Sequence, residues 1–562
     1  MTADPWGVTS GYNDASDHWH ATSSATRHAL LKAMGVDPAA PPHPLEAAFQ
    51  IVYQNESTDL NGPGVVRLED GGTIVIDRRL PPDVPLGYHE FDRKGSSRPT
   101  QLVVAPRQCL PPPDRAWGWA AQLYALRSRQ SWGFGDLADL ERLADWSSQQ
   151  GARCLLINPL CAAAPVATQQ ASPYSPTSRR FRNPLYLRIE RMAGAPEMVA
   201  DLGLLVSSGR ALNNNARIDR PEVFRLKQRA CELLWERFQG DPRFDAFSRQ
   251  QGTSLEQFAL YCALAEQHGC DWRSWPAQYR RPELALARID IDGLRRRVAY
   301  HQWLQWQLDL QLAAASKPLA IIHDLPIGFD AGGADAWAWQ DTLAGGVSVG
   351  APPDLYNAAG QDWGLPPLVP HKLRASGYVP WIETVRASLR HAGGLRMDHV
   401  MGLFRLFWIA HDDSPQQGAY VEYRADEMLA ILALESHRAG AFVVGEDLGT
   451  VEPGTRSALA STGVLSCRVL WFENDPPEQY PHLALVSAST HDLPTIAGAW
   501  TSSDYRAQQQ IGLDPSAEGA AHLRAQLAET ARVRDNAPVV EVIDRTYAAL
   551  AKAPSAIVTA ML

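Results

Sequence analysis

No stretch of about 18 uninterrupted apolar residues occurs in the chain, so no membrane-spanning helix is expected. Positive charge is not in excess either. With 52 Lys and Arg against 62 Asp and Glu, the formal net charge is −10 and the pI is near 5.9, which leaves no basic field to hold a phosphate backbone or an anionic lipid surface. Nucleic acid and membrane are therefore poor partners, and neutral small molecules are favoured. The opening residues, Met1 to His20, lack a basic segment followed by an apolar run, and no signal peptide is expected. Cysteine is scarce: Cys109, Cys154, Cys161, Cys231, Cys262, Cys270 and Cys467 are odd in number and form no CxxC pair. That argues against both a disulfide framework and a zinc site, and it suits a reducing cytoplasm.

Tryptophan, by contrast, is abundant at 18 residues. Most of these indoles are expected in the core, but their flat faces also suit the apolar sides of sugar rings. Hydrophobic residues make up 45% of the 562 positions, enough for a large core spread over about two to four domains.

Near the start, Val65 to Glu69 and Thr73 to Asp77 flank Asp70-Gly71-Gly72, a pair of β-forming runs around a turn that tolerates positive φ. Further β-like runs at Phe49 to Tyr53 and Gln101 to Val104 precede the proline-rich stretch Pro106 to Asp114. Residues 1–115 thus read as a small β-sandwich-like N-terminal domain with its linker. From 116 to 562 the rhythm becomes strand then helix. The candidate strands are Ala120 to Leu126, Arg153 to Asn158, Leu319 to Asp324, Gly394 to Asp398, Phe442 to Glu446, Cys467 to Trp471, Leu485 to Ser489 and Ala556 to Leu562. Eight such strands predict an α/β chain built as a (β/α)8 TIM barrel, with a mainly helical insertion at about 187–318 and a loop insertion at about 325–391. Within the first insertion Tyr300, Leu304, Leu308 and Leu312 recur every fourth residue and define one packed helix face.

Polar clusters fall where the candidate strands end, the place where barrels carry their chemistry. Arg396 and Asp398 lie two apart on one strand and so face the same way, here inward. An adjacent arginine favours a charged, nucleophilic carboxylate, although such a pair by itself reads equally as a structural ion pair. Two valines lead into Glu446 between glycines, an apolar approach that should raise its pKa toward that of a general acid. Asp492 follows His491 at the end of the seventh strand, with Pro494 stiffening the turn behind. Any one of these is more often a cap or an ion-pair partner. Three carboxylates at strand ends, two beside histidines, point instead to glycosyl chemistry, in which one carboxyl attacks and another shuttles a proton. The same side chains could also ligate a divalent ion, and loss of activity on chelation would separate the two readings.

The segments Gly394-Leu395-Arg396-Met397-Asp398-His399, Gly445-Glu446-Asp447-Leu448-Gly449 and Thr490-His491-Asp492-Leu493-Pro494-Thr495 occur in that order. With them come Ser172-Pro173-Tyr174-Ser175-Pro176, Asn183-Pro184-Leu185-Tyr186, Asp324-Leu325-Pro326-Ile327, Gly350-Ala351-Pro352-Pro353-Asp354 and Gly360-Gln361-Asp362-Trp363-Gly364. Together they resemble the 4-α-glucanotransferases called amylomaltases or disproportionating enzymes, relatives of the α-amylases, from about residue 116 to the end. The resemblance implies a retaining transfer of α-1,4-glucan segments from a maltooligosaccharide donor to the 4-hydroxyl of a glucose or glucan acceptor, without a metal or organic cofactor. It implies Asp398 as nucleophile, Glu446 as acid/base and Asp492 as the carboxylate that stabilises the transition state. Arg396 would orient Asp398, and His399 and His491 would bond the central sugar. Tyr174 would stack under that sugar, Ser172 would line its pocket, Asp324 would support it, and Gln361 and Trp363 would lie on the acceptor side.

Two departures from the family pattern carry expectations of their own. His323 stands where the family usually has glycine, and it is expected as a titratable group beside the pocket wall. The chain also stops within the run Ala556 to Leu562, where the family normally adds a loop and a closing helix. The expectation is a barrel truncated at its C-terminal end, with a bare outer stripe, and as an alternative function a glucan-binding relative with impaired catalysis.

Overall fold

The computed structural model describes residues 2–14, 18–37, 49–353, 357, 359–411, 413–449 and 451–562. Eight short parallel strands form its centre: Ala116–Ala121 (β1), Cys154–Ile157 (β2), Ala320–Leu325 (β3), Gly394–Met397 (β4), Phe442–Gly445 (β5), Leu465–Val469 (β6), Ala484–Ser487 (β7) and Ile557–Met561 (β8). They bond in sequence order, and β8 returns to β1 with Trp117 opposite Val558, so the barrel closes. On the outer wall Val558 packs toward Val542 and Leu550 of the helix Val539–Leu550, while Trp117 beside it is 39% exposed.

Alternation within the strands sets both the core and the site. Inward residues such as Cys154, Ile322, Phe442, Val444, Cys467 and Leu485 pack into one apolar plug. Continued toward the C-terminal ends, the same inward series turn polar: Ile322 leads to Asp324, Gly394 to Arg396 and Asp398, and Val444 to Glu446. β1 and β2 approach closely because position 118 is glycine, where a Cβ would lie 2.0 Å from the Cys154 carbonyl oxygen. Gly118→Ala is expected to cost on the order of 1–3 kcal/mol by forcing the strands apart. A thermal midpoint lower by about one to three degrees would record it, and an unchanged midpoint would show slack between the strands.

β1 begins four residues before the expected strand, and Leu123–Ala125 is a 3-10 turn. The segment Ala116–Ala121 has no β-branched residue to mark it, only alternating Trp and small side chains. The long connection from β2 to β3 carries the helices Val199–Ala211, Arg220–Arg237, Pro242–His268 and Arg295–Ala315, and the last buries Tyr300, Leu304, Leu308 and Leu312. The chain at 325–391, expected as loop, contributes two strands to an antiparallel sheet ordered Gln361–Leu365, Val347–Ala351, Arg405–Ala410 and Ala419–Glu422.

A five-stranded sheet, ordered Phe49–Tyr53, Thr100–Ala105, Gly87–Arg93, Gly64–Arg67 and Thr73–Ile76, precedes the barrel. Its last two strands form the hairpin around Asp70-Gly71-Gly72, with Arg67 opposite Thr73 and Gly71 at φ +92°. One face gathers Val52, Val66, Phe91 and Leu102. The other rests on the barrel helices Val379–Leu389 and Ala425–Ala439, where the Tyr88 hydroxyl donates to buried Glu435 at 2.8 Å. The earliest residues do not join this sheet: Val8 bridges to Val421, and the helix Ser24–Ala33 buries Leu30 and Leu31 against the group that holds Trp408.

Candidate active site

At the ends of β3, β4 and β5 the backbone ladder runs on past the strands. Asp398 N donates to Leu325 O at 3.0 Å, Glu446 N to Met397 O at 2.9 Å and Val400 N to Glu446 O at 3.0 Å. This stitching fixes where the carboxylates emerge. Gly445 permits it, because a Cβ there would come 2.8 Å from Val400 Cγ1. Asp324 and Arg396 are direct register partners across β3 and β4. The Arg396 guanidinium donates through Nη1 to Asp324 Oδ1 at 2.6 Å and to Asp398 Oδ1 at 3.1 Å. Held between two carboxylates in a dry interior, Arg396 is locked in its cationic form, its pKa raised although burial opposes the charge.

The expected lowering of the Asp398 pKa is overturned. Burial pushes it up to about 6 against the pull of Arg396, with the nearby charges of Asp324 and Glu446 adding to the rise. One guanidinium shared with Asp324 does not offset desolvation and two like charges. Glu446 is raised as expected, first by burial, although Arg396 and two backbone N–H groups oppose the rise. Those groups are His399 N to Oε2 and Leu448 N to Oε1, each at 2.8 Å. They clamp the carboxyl in one orientation. His399 adopts the left-handed conformation, φ +47°, to present its N–H, and burial lowers its own pKa.

Across the pocket the Tyr174 hydroxyl donates to Asp324 Oδ2 at 2.6 Å, and its ring stacks on His491 with centroids 4.4 Å apart and planes 4° apart. His491 Nε2 lies 3.0 Å from Asp492 Oδ2, and this bond lowers the Asp492 pKa. Asp492 projects into solvent at the mouth, its side chain 77% exposed. Trp363 meets His399 edge-on at 5.4 Å and donates through Nε1 to Gln361 Oε1 at 3.0 Å, so both stand on the Asp398 side. Ser172 is on the rim, where its hydroxyl accepts from Tyr174 N at 3.3 Å. Of the motif that ends in Asp354, that residue lies outside the described residues.

Two further placements were not foreseen. His323 does not face the pocket: alternation sends it outward from β3, where it is buried with Nδ1 2.9 Å from Ser388 O, and desolvation lowers its pKa to about 3. Asp447, buried beside Glu446, accepts from Cys467 N at 2.9 Å and from Arg456 Nε at 3.0 Å, bracing the exit of β5 against β6. Among the described residues, no group of three or more His, Cys, Asp and Glu side chains is arranged to hold a metal ion.

Residues 121–562 match the family model described as 4-alpha-glucanotransferase. The chain is similar to the 4-alpha-glucanotransferase of Mycobacterium tuberculosis, 40% identical with 90% of this chain and 81% of that protein covered. It is likewise similar to that of Haemophilus influenzae, at 33% identity over 77% of this chain and 68% of the relative. Among solved structures, amylomaltase from Corynebacterium glutamicum superposes with a TM-score of 0.86 at 31% identity, covering 100% of this chain and 91% of its own. Amylomaltase from Streptococcus agalactiae in complex with acarbose shares the fold, with a TM-score of 0.63 at 20% identity over 80% of this chain and 90% of its own.

Proposed function

Because this chain belongs to the 4-alpha-glucanotransferase family, an enzyme family that moves glucan segments, we propose that Asp398 is its nucleophile, Glu446 its acid/base and Asp492 its transition-state stabiliser. The observation that carries this reading is the pairing on adjacent strands: Asp398 held by Arg396 Nη1, and Glu446 clamped by the N–H group that follows Asp398. Maltooligosaccharides and other α-1,4-glucans are the substrates.

An Asp398 oxygen attacks C1 of the donor glucosyl unit as the bond from C1 to the departing 4-oxygen breaks, and Glu446 gives its proton to that oxygen. A β-linked glycosyl ester results. Esterification removes the Asp398 charge, and Arg396 keeps Asp324 as its ion partner. In the second half the 4-hydroxyl of an acceptor attacks C1, its proton passes to Glu446, and Asp398 leaves as a carboxylate, so the α-configuration returns. Trp363 and Gln361 on the Asp398 side form the acceptor platform, and His491 and Asp492 bond donor hydroxyls as positive charge builds at C1.

Membership in this family does not favour the alternative of a glucan binder without catalysis. Among the described residues no helix is long and apolar enough to cross a membrane. The cysteines are free thiols, and a cytoplasmic setting suits them. Incubation with pure maltotriose tests the proposal: a ladder running from glucose to chains longer than the donor is expected. Unchanged maltotriose, or shortening alone, would overturn it.

A further inference from the structure

Gln122 occupies the inward position two residues after Ala120, at the mouth of β1, and lines the pocket with Tyr174, Asp324, Arg396, Glu446 and His491. Several polar groups around it are committed within the protein. Asn158, at the matching end of β2, accepts from Leu123 N at 2.7 Å and donates to Pro159 O and to the Tyr186 hydroxyl, each at 2.8 Å. Ser487 donates to Ser489 O at 2.7 Å, and Ser489 to Pro494 O at 2.9 Å. Among the described residues the Gln122 side-chain oxygen, shielded from solvent, has no hydrogen-bond partner.

A buried amide oxygen without a donor is a standing cost to the fold, and native proteins keep few of them. The Gln122 side chain lines the pocket in which a sugar ring is attacked, and sugar rings carry hydroxyl donors. We propose that Gln122 is a substrate-contacting residue whose side-chain oxygen accepts a hydrogen bond from a hydroxyl of the donor glucosyl unit. A pocket with a waiting acceptor discriminates strongly against a ligand that lacks the matching donor, so Gln122 also contributes to the selection of a hydroxylated sugar. The inference rests on the assignment of this pocket to the donor.

Gln122→Leu keeps the bulk of the side chain and removes its polar end. The variant is expected to lose between about three- and thirtyfold in kcat/KM for maltotriose, while its thermal midpoint stays level or rises because an unpaired polar group is gone. α-Maltosyl fluorides lacking one hydroxyl at C2, C3 or C6 of the reacting unit then identify the contact. For one of the three, the wild type should lose as much as Gln122→Leu does, and the variant should lose nothing further. A kcat/KM within about twofold of wild type, a midpoint that falls with activity, or penalties that add for all three donors would each overturn the proposal. Transfer that survives Asp398→Asn overturns the reading of the pocket itself. An inactive Asp398→Asn beside a normal Gln122→Leu overturns this inference alone.

Discussion

Asp398→Asn is expected to reduce the turnover of maltotriose by roughly 10³-fold or more while leaving the binding of maltooligosaccharides within a small factor. The amide has the shape of the carboxylate and still accepts from Arg396 Nη1, but it cannot form the glycosyl ester. The structure adds a second expectation. Burial, with Asp324 and Glu446 nearby, raises the Asp398 pKa in the fold to about 6, so the folded protein holds this proton more tightly than the unfolded chain does. The ionised carboxylate therefore destabilises the fold. That cost is fully present above pH ~6 and fades as pH falls toward the unfolded value near 3.9. Asparagine removes the cost, so the variant should melt at or above the wild-type temperature at pH 7, and the difference should shrink on acidification. Residual turnover above a few per cent of wild type would sink the assignment of the nucleophile. A variant that is inactive because it melts well below wild type would make Asp398 a structural ion-pair partner.

Seven of the eight strands were legible because most are apolar runs with β-branched residues, and their polar tips because catalytic groups follow the same alternation as the core beneath them. β1 was misplaced for the opposite reason: the run Ala-Trp-Gly-Trp-Ala-Ala carries no β-branched signal. The direction of His323 was already fixed by parity, since a neighbour of inward Asp324 must face outward. The sign of the Asp398 shift was not legible. It depends on how deeply the carboxyl is buried and on Asp324 and Glu446, which lie far from it in the chain and meet it only when β3, β4 and β5 align. Gln122 was hidden for a related reason. A glutamine after two alanines has no signature, and its place in the pocket emerges only once the barrel closes around it. The antiparallel sheet that carries Gln361 and Trp363 was missed because its strands are short and come from two separate loops.

Glu446→Gln is expected to separate the two halves of the reaction. With a natural maltooligosaccharide the departing 4-oxygen finds no proton, and the rate should fall by roughly 10²–10⁴-fold. With α-maltosyl fluoride the leaving group needs no proton. The first half then proceeds, whereas the second lacks a base to take the acceptor proton, so a burst of fluoride followed by a slow phase should appear. The pH dependence carries the sharper test. In the wild type the working form has Asp398 ionised and Glu446 protonated, so kcat/KM should fall on the acid side as Asp398 takes up a proton and on the alkaline side as Glu446 loses one. The two groups interact, and the limbs belong to the pair. At the acid limb Glu446 is already protonated and carries no charge, so exchanging it for the neutral amide should leave the acid limb of the fluoride reaction close to its wild-type position. The alkaline limb should flatten, because no proton remains there to be lost. An alkaline limb that persists unchanged in Glu446→Gln would assign the acid to another residue. An acid limb that moves clearly to lower pH would show that Glu446 is ionised in the working form, against its role as the acid.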